Sequence, residues 1–374
     1  MVVGGRYGPV GVPGYLLGGG MSFYSYEYGF SSTAGNVRAF EVSLSQLRSP
    51  SQLTRRQCVL ADGRVAMVTE TNEYADLFWA LQGGGNSFCL LTTVFLRTID
   101  SPVIGLANAI YGQGDIVKEQ WLNSVLNYAT NASSDPKVAI IPVARYVTGL
   151  LTPRYDSTLF YNGNTSAPEV LGDFQGGLLP ADNTTALAPI TMALFAELVT
   201  PAFEPGGESY GLQQRFHVMS TQATKEAMEI VHNTYFDATP ELYNVSHFFT
   251  CLAFNSITTK FIEVSNSGVG YPQGVEEKPL FWAEEAFTWG DPADDPIIEK
   301  WITGVNGNIT SQLEAINATA KYLYLNDADP DQPVFERYPV KNVLRLQGIR
   351  DKCDPGMVFT NLMRGGFKVA HTVV

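Results

Sequence analysis

The sequence is poor in the residues that metal and nucleic-acid sites use. Its 374 residues include four cysteines and four histidines, with no Cys-x-x-Cys pair, so we predict no metal site. Its 24 Lys and Arg face 37 Asp and Glu, for a net charge of −13, which argues against a nucleic-acid or anionic-membrane partner. No apolar run is long enough to cross a bilayer. The composition indicates a globular protein, and we expect a small-molecule partner.

Several catalytic motifs are also missing. The sequence has no His-Glu-x-x-His zinc motif, no phosphate-binding Gly-Lys loop, and no Gly-x-Gly-x-x-Gly that opens a helix after a strand. Hydrolase, kinase and Rossmann dehydrogenase functions therefore have little support. The four cysteines, Cys58, Cys89, Cys251 and Cys353, allow one or two disulfides, and the sequence does not choose between the three full pairings.

What the sequence does have is a glycine-rich stretch, GGRYGPVGVPGYLLGGG, from Gly4 to Gly20. Eight of its seventeen residues are glycine, and Arg6 is its one charged residue. We interpret it as a buried, folded segment whose bare amides hold an anionic or planar ligand. The alternative is a tightly packed glycine turn that binds nothing.

Six Asn-x-Ser/Thr sequons follow residue 130. They lie at Asn131, Asn164, Asn183, Asn244, Asn308 and Asn317. Their number favours a secreted glycoprotein. The first residues carry no basic stretch and apolar core of a signal peptide, so secretion is expected only if the natural N-terminus lies upstream.

Apolar periodicity predicts strands and helices in irregular order, which favours an α+β fold. The predicted strands are 39–42, 59–60, 64–69, 88–98, 103–111, 138–147, 247–257 and 281–289. The predicted helices are 73–81, 115–128, 224–235, 295–317 with an interruption at 304–308, and 340–352. Residues 43–58 have no period and read as an inserted loop, and the composition shifts near residues 98 and 320.

Ordered blocks at both ends of the chain carry a family likeness. After the glycine segment come YGF, VLADGRV, DLFWALQGGGNSF, YLYLNDADPDQ and RLQGIRDKCDPGMVF. Together they resemble FAD-linked oxidases of the berberine-bridge-enzyme type, in the vanillyl-alcohol-oxidase superfamily. The resemblance implies a split FAD-binding domain (1–98, with the insertion 43–58, and a returning segment 321–374). Between its parts lies a substrate domain, an antiparallel sheet with helices, at 99–320.

The resemblance implies FAD as cofactor and assigns residues to it. The implied FAD-binding residues are Gly4, Gly5, Arg6, Gly8, Val10, Gly11, Val12, Gly14, Leu17, Gly18, Gly19, Gly20, Gly85, Asn86, Phe88 and Leu91. Compared with the family, the chain lacks an upstream loop with the flavin-linked histidine, and we expect it to be truncated at its N-terminus. The Arg6 region has no cysteine for a second covalent link, and Cys89 replaces a usual glycine.

Tyr324 and Asn326 match a Tyr-x-Asn motif, which implies that the tyrosine is a base on the substrate side of the flavin. A phenol needs a lowered pKa for that task at neutral pH. The alternatives are a core tyrosine and a turn asparagine. The aromatic residues of 281–289 can line a substrate pocket or belong to the core, and the histidines are expected to be structural.

The expected function is therefore an FAD-dependent oxidoreductase that oxidises an alcohol-type substrate (a sugar, an aromatic alcohol or a secondary metabolite) by hydride transfer to flavin. The alternative is a truncated, non-catalytic glycoprotein that binds a sugar or a small aromatic molecule. Substrate, electron acceptor and oligomeric state stay open at this point.

Overall fold

The computed structural model describes residues 1–33, 35–41, 58–147 and 152–373. The predicted insertion at 43–58 lies outside these ranges, except for Cys58. The chain mixes helices with antiparallel sheets, so the predicted α+β class is confirmed. The predicted domain limits near residues 98 and 320 stay a prediction.

Most described strands form one large sheet. The strands are β1 Val37–Glu41, β2 Cys58–Val59, β3 Val65–Ala66, β4 Thr93–Leu96, β5 Ile104–Gln113, β6 Val138–Val147, β7 Arg154–Tyr161, β8 Ala188–Ile190, β9 Gln213–Gln222, β10 Phe249–Ile257 and β11 Leu280–Trp289. Seven of them pair antiparallel in the order β8-β5-β7-β6-β10-β11-β9. Two small antiparallel pairs, β1 with β4 and β2 with β3, lie at the N-terminal end of the chain.

The helices lie between and after the strands. The α-helices over the described residues are α1 Val12–Leu17, α2 Ser25–Tyr28, α3 Ala75–Ala80, α4 Asp115–Asn131, α5 Met192–Val199, α6 Lys225–Ala238, α7 Thr259–Ser265, α8 Asp295–Ala315, α9 Val340–Cys353 and α10 Val358–Asn361. Among these described helices, none is long and apolar enough to span a bilayer.

Most predicted elements are present, but the interruption at 304–308 is wrong. Helix α8 continues through Gly304 and Gly307. Its buried stripe, which includes Trp301, Val305 and Ile309, outweighs the penalty of about 1 kcal/mol that each interior glycine adds. The sequence analysis also missed β7, β9, α5 and α7, whose apolar residues are too few or too evenly spread for a clear period.

Alternation along β11 separates the two faces of the large sheet. Phe287 packs against Tyr235 of α6 and Trp301 of α8, so one face lies under helices. Trp282 instead stacks on Tyr324, with ring centroids 4.7 Å apart. The segment that carries the Tyr-x-Asn motif therefore covers the opposite face of the sheet.

Candidate functional site

The glycine segment has two halves of different exposure. Tyr7–Gly14 is exposed, whereas Tyr15 and the residues that follow it are buried. Helix α1 begins after Gly11, with Pro13 in its first turn, a position that suits proline because its missing amide is not needed there. The prediction of a buried segment is right from Tyr15 onward and wrong for Tyr7–Gly14.

Four glycines of the first half have no structural need to be glycine. A Cβ added to Gly11 or Gly14 would meet nothing within 4 Å, and one added to Gly4 or Gly5 would make only ordinary contacts, the nearest at 3.6 and 3.8 Å. None of the four has a positive φ angle. Bare backbone is therefore not required by packing or conformation at these positions, and a ligand could approach it closely.

The exposed half also offers free backbone and apolar surface. None of the hydrogen bonds between described residues uses the amide of Gly5 or Gly8. Gly8 packs against α5, where a Cβ would lie 2.7 Å from Thr200 Oγ1. Val10 and Val12 are about half exposed. An exposed apolar strip with unpaired amides is typical of a ligand or partner contact.

The second half of the segment is closed by the protein's own side chains. A Cβ on Gly18 would lie 1.9 Å from Asn326 Oδ1, and a Cβ on Gly20 would lie 2.7 Å from the ring of Tyr15. Leu17 is buried in the core. Over the described residues no slot separates this turn from Tyr324, so Gly18–Gly20 make room for side chains in this structure.

Gln273 lies beside the same turn with both amide atoms unpaired. A Cβ on Gly19 or on Gly83 would fall 2.5 or 2.0 Å from its side-chain nitrogen, so both glycines make room for it. Its nitrogen and oxygen are buried, and neither has a hydrogen-bond partner among the described residues. Its side-chain nitrogen can therefore donate, and its oxygen can accept, a hydrogen bond with a polar ligand.

Tyr324 is buried and held by two donors. Its phenol oxygen accepts a hydrogen bond from the Met21 backbone amide at 2.8 Å and another from Asn326 Nδ2 at 3.0 Å. Asn326 Nδ2 also donates to the Tyr15 carbonyl at 2.9 Å. Asn326 therefore bridges the tyrosine and the glycine segment.

The electrostatic environment opposes ionisation of Tyr324. Burial and the neighbouring Asp327 raise the pKa of Tyr324 well above its ordinary value, while the hydrogen bonds from Asn326 and Met21 lower it. Burial also raises the pKa of Asp327 well above its usual range, with Glu284 adding to the effect. Burial thus opposes ionisation of both groups, and an ionised Asp327 would further oppose a phenolate at Tyr324.

Arg6 connects the glycine segment to the same face of the sheet. Its Nη1 donates to Asn255 Oδ1 at 3.1 Å, and Asn255 Nδ2 donates to Glu284 Oε2 at 3.0 Å. Asn255 pairs with Trp282 across β10 and β11. One cation, one carboxylate and the Trp282–Tyr324 stack are thus gathered at the inner edge of the exposed glycines.

The second glycine cluster lies deeper in the fold. The Gly85 amide donates to the Leu17 carbonyl at 3.0 Å and so joins the two glycine-rich stretches. Asn86 binds the C-terminal end of the chain through Gly365 and Lys368. The other two predicted cofactor residues of this region, Phe88 and Leu91, are buried in the hydrophobic core.

A separate cavity of about 540 Å³ lies between β9, α8 and the segment 319–337. Asn306 and His217 line it and flank Glu285, whose Oε2 accepts from Asn306 Nδ2 at 2.9 Å and lies 3.7 Å from His217 Nδ1. Burial raises the pKa of Glu285 to about 8 and lowers that of His217 to about 4. This cluster is on the helix-covered face, away from Tyr324.

The sequence analysis missed Gln273, Asn255 and Glu284. None of the three belongs to a motif, and each reaches the glycine turn or Arg6 only through the tertiary fold. The one available signal was the alternation in β11, which places Glu284 on the same face as Trp282.

Comparison of sequences identifies enzymes as relatives, although no family model matches the sequence. FAD-dependent monooxygenase prx3 of Penicillium roqueforti is 28% identical over 387 residues, which cover 99% of this chain and 70% of the relative. The bifunctional solanapyrone synthase of Alternaria solani is 25% identical over 368 residues, which cover 98% of this chain and 65% of the relative.

Comparison of structures gives the same fold. The glycopeptide hexose oxidase DBV29 superposes with a TM-score of 0.71 at 15% sequence identity. The superposition includes 99% of this chain and 76% of the oxidase. The glucooligosaccharide oxidase of Acremonium strictum, which carries 6-S-cysteinyl, 8α-N1-histidyl FAD, has a TM-score of 0.67 at 19% identity and is covered to 72%, by 96% of this chain. The chain therefore has the fold of the matching part of these FAD-binding oxidases.

Proposed function

We propose that the protein is an FAD-dependent oxidoreductase that oxidises an alcohol-type carbon of a small organic molecule. The observation that carries the proposal is the first half of the glycine segment, Gly4–Gly14, of which Tyr7–Gly14 is exposed. Gly4, Gly5, Gly11 and Gly14 are not required by the fold itself, yet they lie beside unpaired amides on an apolar surface. The relatives named FAD-dependent monooxygenases align over nearly the whole chain.

The residues fit a flavin dinucleotide in two places. The amides of Gly5 and Gly8, with the open backbone at Gly11 and Gly14, suit the diphosphate, whose oxygens need donors that no side chain screens. Gln273 offers both a donor and an acceptor beside Gly19 and Gly83, which matches the alternating polar edge of an isoalloxazine. The closed turn at Gly18–Gly20 would have to open for a ring to reach Tyr324.

Bound FAD would supply the redox chemistry, and the protein would supply position and proton transfer. We assign Tyr324 Oη as the proton acceptor for the substrate hydroxyl. Tyr324 can accept that proton only as a phenolate, so its own proton must first leave to solvent, a loss that burial opposes by raising the pKa of Tyr324. The Met21 amide and Asn326 Nδ2, which donate to the phenol oxygen, are placed to stabilise the phenolate.

The substrate class is narrowed by the site and by the relatives. The Trp282–Tyr324 stack, Arg6 and Glu284 gather aromatic and polar groups on one face of the sheet. Both rings are buried, so this set would meet an oxygen-rich ring compound only with the glycine turn open. Structural neighbours include oxidases of oligosaccharides, and sequence relatives include a solanapyrone synthase. We propose a hydroxylated secondary metabolite as substrate because the sequence relatives are 28% and 25% identical to this chain, whereas the oligosaccharide oxidases are 19% and 18% identical.

We also propose that the natural protein is secreted and glycosylated. All six sequon asparagines are exposed, including Asn317 in a left-handed turn and Asn244 in a loop. Glycosylation requires exposed acceptors, although Asn131 and Asn308 lie in helices α4 and α8, so the sites in turns and loops are expected to be modified first. Protein secreted from a eukaryotic host should lose mass on treatment with an N-glycosidase, and unchanged mobility would contradict this part of the proposal.

The cofactor proposal is tested by binding and not only by activity. Purified protein is titrated with FAD, and binding is followed by quenching of flavin fluorescence. Gly11→Val places a side chain in space that the fold leaves open, so it should weaken binding at least tenfold and leave the melting temperature unchanged. The matched control is Gly35→Val, also with nothing within 4 Å of its Cβ but outside the segment.

Equal FAD affinity in both variants would remove the glycine segment from the cofactor site. If neither wild type nor variant binds FAD, the non-catalytic alternative gains support.

The proton-transfer assignment is tested separately with FAD-loaded protein, in which Tyr324→Phe should slow anaerobic flavin bleaching by substrate by about 10²–10⁴-fold while flavin stays bound. Unchanged bleaching would remove Tyr324 from the mechanism.

A further inference from the structure

Two buried cysteines that no part of the proposed function uses lie against each other. Cys89 Sγ is 3.1 Å from Cys58 Sγ, and the two residues are 31 positions apart in the sequence. Both thiols are free and buried. Because sulfur atoms in a disulfide are separated by about 2.05 Å, each would move by only roughly 0.5 Å to form the bond.

The backbone already holds these two positions together. One residue further along each strand, Val59 and Leu90 exchange both backbone hydrogen bonds, at 3.1 and 3.4 Å. Cys58 begins strand β2 of the hairpin, and Cys89 leads from the second glycine cluster toward β4. Because this bridge is antiparallel, Cys58 and Cys89 lie diagonally across it and not directly opposite each other. The bridge keeps the two segments adjacent, and the Sγ–Sγ distance of 3.1 Å shows that the two thiols are in contact.

We propose that Cys58 and Cys89 form a disulfide in the natural protein, and that Cys251 and Cys353 remain thiols. The two thiols lose two protons and two electrons as the S–S bond forms. The oxidant is an external disulfide, either oxidised glutathione or a protein thiol oxidase, which is reduced to two thiols. Of the single disulfides that the sequence leaves open, the structure favours this bond.

Cys353 is the competing partner. It ends helix α9 and is partly buried, and it is close enough to contribute to the raised pKa of Cys89, although the Cys58 thiol and burial contribute more. Cys251 lies in β10 of the large sheet, remote from this group. A pairing through Cys353 is thus the specific alternative that the experiment must distinguish.

The bond would constrain the region that we propose to contact FAD. It closes a loop that contains the β2–β3 hairpin, α3 and the glycine cluster at residues 83–85. A cross-link over a loop of this length removes many conformations from the unfolded chain. It would also fix the start of β2, next to residues 42–57. The inference stands on the two thiols and does not require the proposed FAD site.

The test maps the linkage in the full chain. Protein secreted by a eukaryotic host, and protein incubated with oxidised glutathione, are denatured in N-ethylmaleimide and digested without reductant. Mass spectrometry should find the Cys58 and Cys89 peptides joined and lighter by two hydrogens, with Cys251 and Cys353 alkylated. A Cys353 linkage to either thiol, or four alkylated cysteines under both conditions, would overturn the proposal.

Thermal unfolding provides a second measurement. Reductant should lower the melting temperature of the wild type by several degrees and should have the same effect on Cys251→Ser. It should have no effect on the double variant Cys58→Ala with Cys89→Ala. If the double variant does not fold, Cys353→Ser keeps the test decisive, because it should retain both the joined peptides and the response to reductant. Loss of either in Cys353→Ser would contradict the assignment.

Discussion

The backbone amide of Met21 donates a 2.8 Å hydrogen bond to the phenol oxygen of Tyr324, across 303 residues of sequence. This bond joins the end of the glycine segment to the Tyr-x-Asn motif. Asn326 adds a second donor to the same oxygen. The two blocks that carry most of the family resemblance, from opposite ends of the chain, therefore meet at one buried atom.

We expect Tyr324→Phe to lower the free energy of unfolding by about 1–3 kcal/mol, because it leaves the Met21 amide and one Asn326 donor buried without an acceptor. Urea denaturation measures the change. The control is Tyr322→Phe. The Tyr322 hydroxyl is buried with no partner among the described residues, so its removal leaves no donor without an acceptor. Equal stability of the two variants would show that the Met21 bond contributes nothing.

Gly18→Ala should displace Asn326. The new Cβ would overlap Asn326 Oδ1 at 1.9 Å, so the amide must leave both Tyr324 and the Tyr15 carbonyl. We expect a loss of about 1–3 kcal/mol from the broken contacts. Gly14→Ala is the matched control in the preceding turn. Its Cβ meets nothing within 4 Å, and alanine in helix α1 should stabilise by roughly 0.5–1 kcal/mol. A neutral Gly18→Ala would mean that Asn326 is not held as described.

The pH dependence of stability should show the buried Glu285. Its pKa is about 8 in the folded protein and 4.5 when unperturbed, so the folded state keeps a proton that the unfolded state releases. Stability therefore falls as pH rises between these values, by up to about 1.4 kcal/mol per pH unit. Glu285→Gln should flatten the slope and be the more stable protein at pH 8.

The measurement is best made between pH 6.5 and 8. The pKa values of His217 and His232 are lowered by burial to about 4, so these histidines reduce stability only as pH falls below about 6.5. Above that value they do not offset Glu285. An unchanged slope in Glu285→Gln would show that the carboxyl group is already ionised in the folded protein.

The site was only partly predictable from the sequence, for a physical reason. The glycine segment and the Tyr324–Asn326 pair are local patterns, and their meeting required only that both ends of the chain share a domain. Gln273 carries no local signal, because its position beside Gly19 and Gly83 follows from long-range packing. The exposure of the glycine segment was also not predictable. A run of Gly, Val and Pro predicts a buried segment, whereas Val10 and Val12 are exposed.

The fold was more predictable than the site, for a related reason. Strands such as β6 and helices such as α9 have a clear apolar period, and their bounds agree with prediction within a few residues. Helix α8 was predicted less well. Its two interior glycines predicted an interruption, but the packing of its buried face keeps the helix continuous. Strand β9 was missed: Gln213–Gln222 is polar at its start, and the Gln332 side chain pairs with the Val218 backbone at this edge of the sheet.

The last prediction concerns what holds the Tyr324 segment on the sheet. Arg215 of β9 binds Asp329 through both carboxylate oxygens and binds Glu299 of α8 at 2.7 Å and Asp331 at 3.2 Å. Burial raises the pKa of Asp329, but Arg215 outweighs it, so the pKa lies below 3.8. The stabilising contribution of Asp329 is therefore present above about pH 4 and lost as pH falls below it.

We expect Asp329→Asn to lower the free energy of unfolding by about 1–3 kcal/mol at pH 7, less than for a fully buried pair because Arg215 keeps two other carboxylates. The difference from wild type should shrink at pH 3, because below about pH 4 the unfolded chain takes up a proton at Asp329 that the folded chain resists. Asp331→Asn is the control, since the Asp331 side chain is 89% exposed and should contribute less than about 0.5 kcal/mol. If the two variants lose equal stability at pH 7, or if the Asp329→Asn deficit persists undiminished at pH 3, then packing and not charge holds this segment on the sheet.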